Sequence, residues 1–236
     1  MKFLEFRRGI WEFEQENWFG EVVYFEALSR LRQFGSGTAN LAKDDVEGVI
    51  KMFLLQWGQM ARAINREGTD WSLLLSRLNG ISGTLLELKN ERILDVNLES
   101  KGELVSQAYS PLESKNIGAT SISKILHLLN PELFVMWDDN IRINRDNKLG
   151  FEPADGKYQK FAEGPGGYLR YLHACQAEVR MALEDGKQTS AEPLEAVLQK
   201  LLAERPEVAA GRLGSNYMPK TLAKLIDEYN WWAVNR

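Results

Sequence analysis

One cysteine, Cys175, and two histidines, His127 and His173, are all the chain has of the residues that most often hold metals or act as nucleophiles. A lone thiol excludes an internal disulfide and equally a four-cysteine zinc or iron–sulfur site. Neither histidine has a second ligand four residues away, so no metal is expected. His127 lies among Leu126, Leu128 and Leu129, the setting of a packed core residue rather than a catalytic base. No run of about 18 uncharged apolar residues exists, so no membrane span is expected. The opening MKFLEFRRGIWEFEQENW interrupts its apolar residues with Glu and Arg and lacks the continuous core of a secretory signal. A cytoplasmic protein without a membrane partner is the expectation. Excess positive charge is missing too: 29 Lys and Arg against 33 Asp and Glu leave a net charge of −4. That balance argues against a sequence-independent coater of nucleic acid.

Strand-type alternation is hard to find, whereas apolar residues at helical spacing recur along all 236 positions. The fold class is therefore all-α or nearly so, in one large domain or two intimate smaller ones. Residues 1 to about 22, rich in aromatics and Glu, read as an arm packed across the body, and Glu21 to Phe34 as a helix. The sequence GSGT that follows lacks the Lys of a phosphate-binding loop and reads as a connector, so no nucleotide cofactor is expected. Asp44 or Asp45 caps a central helix running to about Asn65, with Val46, Val49, Ile50, Phe53, Leu54, Trp57 and Met60 as its stripe. Further helices are expected over Trp71 to Leu78, Thr84 to about Leu98, Glu103 to Tyr109, Tyr168 to Leu183, Leu194 to Ala203 and Lys220 to about Tyr229. Leu149 to Gly167 and Pro206 to Pro219 read as loops, and Asp185 to Pro193 as a polar link.

The most informative stretch runs from Ser114 to Ile143. Asn116-Ile117-Gly118 reads as a tight turn, Thr120 to Leu129 as an apolar helix closed by Asn130-Pro131, and Phe134 to Trp137 as an extended run. That run delivers Asp138 to the start of another helix, with Ile141 three residues on. Between Lys115 and Lys148 five basic residues face four acidic ones, so any DNA contact there rests on backbone N–H groups plus a few cations.

In this order and spacing, Ser114 to Ile143 resembles the signature of the helix-hairpin-helix DNA glycosylase superfamily, over about 30 of the 236 residues. Two positions depart from that family's pattern. Asn116 stands where the first hairpin glycine belongs, and Asn tolerates left-handed backbone angles better than most residues. Thr120 occupies the slot of the Schiff-base lysine of bifunctional members, and Lys124 lies one helical turn beyond it. The resemblance therefore implies a monofunctional enzyme that flips a damaged or modified base out of double-stranded DNA and hydrolyses its N-glycosidic bond. The expected product is an abasic site.

The resemblance also assigns roles. Asp138 is the expected catalytic carboxylate, and Asn116, Ile117, Gly118, Ala119, Thr120, Ser121 and Lys124 form the expected DNA-binding set. Trp137, Asp139 and Trp11 are candidates for the base pocket, with Trp18, Trp231 and Trp232 in reserve. Implied too are two lobes, residues 30–145 and 1–29 plus 146–236, with the active site between them, and a monomer needing no cofactor. Seven tryptophans extend the thought to a bulky base such as the glucosylated hydroxymethylcytosine of some phages, excised in antiviral defence. Two alternatives stay open: a DNA-binding module that kept the hairpin but lost catalysis, and a helical protein-interaction domain.

Overall fold

Phe3–Gly35 forms one uninterrupted helix, α1, of 33 residues, about 50 Å long. Its buried residues Phe6, Ile10, Phe13, Tyr24, Leu28 and Leu31 keep a single helical phase. The arm expected over residues 1 to 22 is thus the first half of this helix. Phe6, Ile10 and Phe13 are in register with Tyr24 and its successors, and the glutamates between them had obscured that phase. A computed structural model describes residues 1–35, 40–57, 68–148, 161–203 and 220–235; of 17–20, 32–35 and 144–148 it describes the backbone course alone. Met60 and the expected helix end at Asn65, the GSGT connector beyond Gly35, most of the Leu149 to Gly167 loop and the Pro206 to Pro219 loop lie outside the described residues, as does the Trp18 side chain.

The remaining elements are helical. Asp45 reaches back to the Ala42 N–H (2.6 Å) and opens a π-helical segment, Asp45–Ile50, that continues into α2, Lys51–Gln56. Then follow α3 (Trp71–Gly80), capped by Asp70 accepting from the Leu73 N–H, and α4 (Ser82–Leu88). The helix expected to run to Leu98 stops ten residues early. Asn97 accepts the N–H groups of Glu99 and Ser100 and so starts a new helix, α5 (Leu98–Tyr109). After the hairpin come α6 (Ala119–Leu129) and α7 (Asp139–Lys148). Next are α8 (Pro165–Ser190), α9 (Leu194–Ala203) and α10 (Leu222–Asn235). α8 continues through the expected polar link because its polar residues occupy the exposed face while Gly186 packs on Phe3. The class is all-α, and the one β-type pairing among the described residues is the isolated bridge between Ser114 and Ile117. No described helix is long and apolar enough to cross a membrane.

α6 lies at the centre of the core. Ser121 through Asn130 are all buried, with Ile122, Ile125, Leu126 and Leu129 among the apolar contacts. The two chain ends meet beside it. Phe6 packs edge-on against Tyr229 (5.2 Å between ring centroids) and Phe13 against Trp231 (5.3 Å). Gly9 permits that approach, since a Cβ there would stand 2.7 Å from ring atoms of Tyr229 and Trp232. α10 is also tied to the segment that leads to Asp138. Thr221 donates to the Pro131 carbonyl (2.6 Å) at one end, and Asn140 donates to Asn235 (3.1 Å) at the other.

Candidate functional site

The hairpin closes through two backbone hydrogen bonds, Ser114 N–H to Ile117 O (3.1 Å) and Ile117 N–H to Ser114 O (2.9 Å). Closing so tight a turn requires one left-handed residue. Asn116 supplies it, with φ 68°, and its amide donates to Thr69 Oγ1 (3.0 Å). Arg77 donates to the Glu113 carbonyl (2.7 Å) and braces the turn from below. Gly118 then leads into α6 in an extended conformation, solvent-exposed, with open space where a Cβ would be. Asn116, Gly118, Ala119 and Thr120 reach the surface here. Ile117 is a fully buried anchor.

Besides Ile117, two further members of the expected DNA-binding set do not join this surface. Ser121 is fully buried and Lys124 is 8% exposed, because both lie on the inward side of α6. Lys124 instead stands over the Trp57 ring, 5.3 Å from its centroid, within electrostatic reach of Asp227 and Asp138. Burial lowers its pKa and the two carboxylates oppose that shift.

The extended run after Pro131 is strapped to α6. Ser123 Oγ donates to the Trp137 carbonyl (3.1 Å), and the Trp137 N–H donates to Ser123 Oγ (3.2 Å). The Trp137 indole donates to the Ala119 carbonyl (3.2 Å), and Tyr168 and Tyr171 donate to the carbonyls of Val135 and Met136 (2.8 Å each). His127 completes the strap. Its Nδ1 lies 2.5 Å from the Phe134 carbonyl, an acceptor only, so this nitrogen carries the proton and Nε2 accepts from Tyr24 (2.7 Å). Burial holds the His127 pKa down to about 3, so the ring is neutral.

This strap delivers Asp138 to the start of α7. Its Oδ1 accepts the Ile141 N–H at 2.7 Å, and its carbonyl accepts from Arg142 (2.9 Å). Asp138 is half-buried. The base-pocket candidates fare differently. Trp137 is 1% exposed, its ring enclosed by Phe161, Tyr168 and Tyr171, so it is core rather than an open pocket wall. Asp139 is exposed and ion-paired with Arg142 (3.2 Å), which also reaches Glu163. Trp11 is 43% exposed on α1. Trp231 packs on Phe13, and Trp232 donates to Glu12 (2.8 Å) while lying against Tyr229.

Between α1 and α10 the structure brings together groups that sequence reasoning passed over. Lys220 contacts Glu14 (2.9 Å), Glu21 (2.8 Å) and Glu228 (2.5 Å), and all four side chains are buried. Lys224 contacts Glu21 (3.4 Å), Asp227 (3.5 Å) and Glu228 (3.1 Å). Its ammonium also lies 4.9 to 5.2 Å from the ring centroids of Trp57, Tyr24 and Phe13. Burial would raise the Glu21 pKa, but Lys220 and Lys224 outweigh it and hold Glu21 at about 2. Burial pushes Asp227 up to about 7 against the pull of Lys224 and Lys124, with Glu228 and Asp138 adding to the rise. The available signal was Lys220, Lys224 and Glu228 at four-residue spacing opposite Glu14 and Glu21 at seven. On a terminal helix that pattern reads as a solvated face.

Among the described residues no group of three or more His, Cys, Asp or Glu is arranged to hold a metal ion. The chain matches no protein-family model, no curated protein and no solved structure.

Proposed function

We propose that the protein is a monofunctional DNA glycosylase of the helix-hairpin-helix type, with Asp138 as its catalytic carboxylate. The supporting observation is the coupling, through one helix, of a left-handed hairpin turn to a strap that ends in a helix-capping aspartate. The turn at Asn116 leaves Gly118 bare before the N-terminus of α6, where N–H groups and the helix dipole favour a phosphate. Twenty residues beyond Gly118, Ser123, His127 and Trp137 hold the segment that aims Asp138. An anionic carboxylate there stabilises the oxocarbenium-like sugar formed as the base departs and takes a proton from the attacking water.

In this reading the substrate is double-stranded DNA with a damaged or modified base, glucosylated hydroxymethylcytosine of phage DNA included. The site lies between lobes of residues 30–145 and 1–29 plus 146–236, in a cytoplasmic monomer. The test is base release from duplexes bearing such bases, followed by alkali to cut the abasic strand. Asp138→Asn keeps the α7 cap, because Asn caps as well as Asp, but removes the charge. Its rate of release is expected to fall by roughly 10³-fold or more with DNA affinity unchanged. Burial of Trp137 and Phe134 favours a second reading, a hairpin module that binds DNA without catalysis. Tight binding with no release from any substrate would select it.

A further inference from the structure

The start of α1, the end of α8 and α9 leave an open cavity of about 470 Å³ between them. None of the residues assigned above to DNA or to catalysis lines it. Its floor is Phe3 of α1 with Val197 and Leu201 of α9, and Arg7, Glu192 and Lys200 stand around it. The local sequence builds this hollow. Phe3 is fixed at backbone and ring: its N–H donates to Asp185 (2.9 Å), and the ring lies on Gly186, where a Cβ would stand 2.8 Å from it. Ala191, left-handed at φ 57°, closes α8 and turns the chain. α9 then packs against α8 with Val197 and Leu201, four residues apart, on its inward face.

The surrounding charges give the cavity a sign. Arg7 and Lys200 against Glu192 leave one positive charge in excess, on a chain whose net charge is −4. Glu192 pairs with Lys200, whose side chain is 68% exposed. An ion pair so exposed is worth little, so the ammonium can turn to a ligand's anion at small cost. Ser190, also at the cavity, spends its hydroxyl proton on the Gly186 carbonyl (2.8 Å) and offers no donor. Recognition of a polar head therefore falls to the two cations.

We infer that this cavity is a second binding site, for a small amphipathic carboxylate whose acyl chain lies on Phe3, Val197 and Leu201 and whose head is held by Arg7 and Lys200. Small-ligand sites are mostly apolar hollows of about 300–1,000 Å³ with a few placed polar groups, and this one has that size and make-up. Two branched aliphatic side chains and one ring make an uneven floor, which a flexible chain follows better than a flat ring system. One surplus positive charge matches a carboxylate better than a phosphate dianion. A ligand seated there touches α1, α8 and α9 together, so it stabilises their packing by mass action.

The experiment is isothermal titration calorimetry of the full-length protein with decanoate, beside octanoate, hexanoate and decanol. Decanoate is expected to bind one site per chain with a Kd of about 100 μM or tighter, and affinity to rise about fourfold per added methylene. Arg7→Gln combined with Lys200→Gln should weaken decanoate about tenfold or more and leave decanol unchanged. Ala203→Trp sets an indole into the cavity from the end of α9 and should abolish binding of both, with a circular-dichroism melt showing that each variant folds. No saturable binding of decanoate by the native protein up to about 1 mM would overturn the assignment without recourse to any variant. So would binding that ignores both variants, or a charge variant that weakens decanoate and decanol alike. Binding to phosphatidylglycerol vesicles without binding of free decanoate would give the cavity to a bilayer, and self-association abolished by Ala203→Trp would give it to a second copy; either result overturns the assignment. DNA takes no part in these titrations, so their failure leaves the base-excision reading where it stands.

Discussion

Asn116 shows how much can hang on one backbone angle. At φ 68° an asparagine sits with little strain and its amide still reaches Thr69, whereas a β-branched residue would clash with its own backbone. Asn116→Gly should retain both stability and DNA binding. Asn116→Val should cost about 1–2 kcal/mol in chemical denaturation and weaken DNA binding in proportion to the lost hairpin. His127 offers a pH test. Its pKa of about 3 in the native protein lies below the ordinary 6.5, so between those values the unfolded chain binds a proton that the native one refuses. The stability tied to its neutral ring is present above pH 6.5 and lost as pH falls. Asp227 acts in the opposite sense, its raised pKa adding stability as pH drops from about 7 towards 4, so the two tend to cancel in the native protein. A comparison isolates the histidine: the destabilisation of His127→Gln relative to native should shrink by about 2–3 kcal/mol between pH 7 and pH 4.5. At this scale Asp138 as a helix cap and His127 as a core residue were legible in the sequence, because local spacing determines both. The inward turn of Lys124 was not, because it depends on Trp57 and Asp227, 67 positions before it and 103 after it.

At the level of elements, α1 and α10 are joined by more than apolar packing. Five charged side chains, Glu14, Glu21, Lys220, Lys224 and Glu228, are buried together with their partners in place. Burying these charges without partners would be strongly unfavourable, so removing one cation leaves carboxylates stranded. Burial would lower the Lys220 pKa, but Glu21, Glu228 and Glu14 reverse the shift, and the lysine stays charged. Lys220→Met is therefore expected to destabilise the protein by about 3–5 kcal/mol, roughly 10 °C in Tm, and a thermal melt by circular dichroism would reveal it. Helix content was readable from spacing alone. Helix lengths were less so, since α1, α8 and α10 all extend past their expected ends. In each, polar or aromatic residues that looked like terminators fall on a face that another helix covers or that water accepts.

Across the whole molecule, a net charge of −4 constrains how the proposed glycosylase would hold DNA. With the Lys124 side chain turned inward, the hairpin surface offers N–H groups and few cations, so the proposed DNA binding would displace few counterions. The logarithm of DNA affinity should fall with the logarithm of salt concentration at a shallow slope of about −2 to −3, measurable by fluorescence anisotropy. Lys124→Gln should leave that slope unchanged. Lys220 and Glu14, separated by 206 positions, form a buried contact, and synthesis is vectorial. Glu14 and Glu21 are made about 200 residues before Lys220 and Lys224. Until α10 has been made, the inner face of α1 lacks the two ammonium groups that its carboxylates contact, so the core cannot close in its native form before α10 joins it.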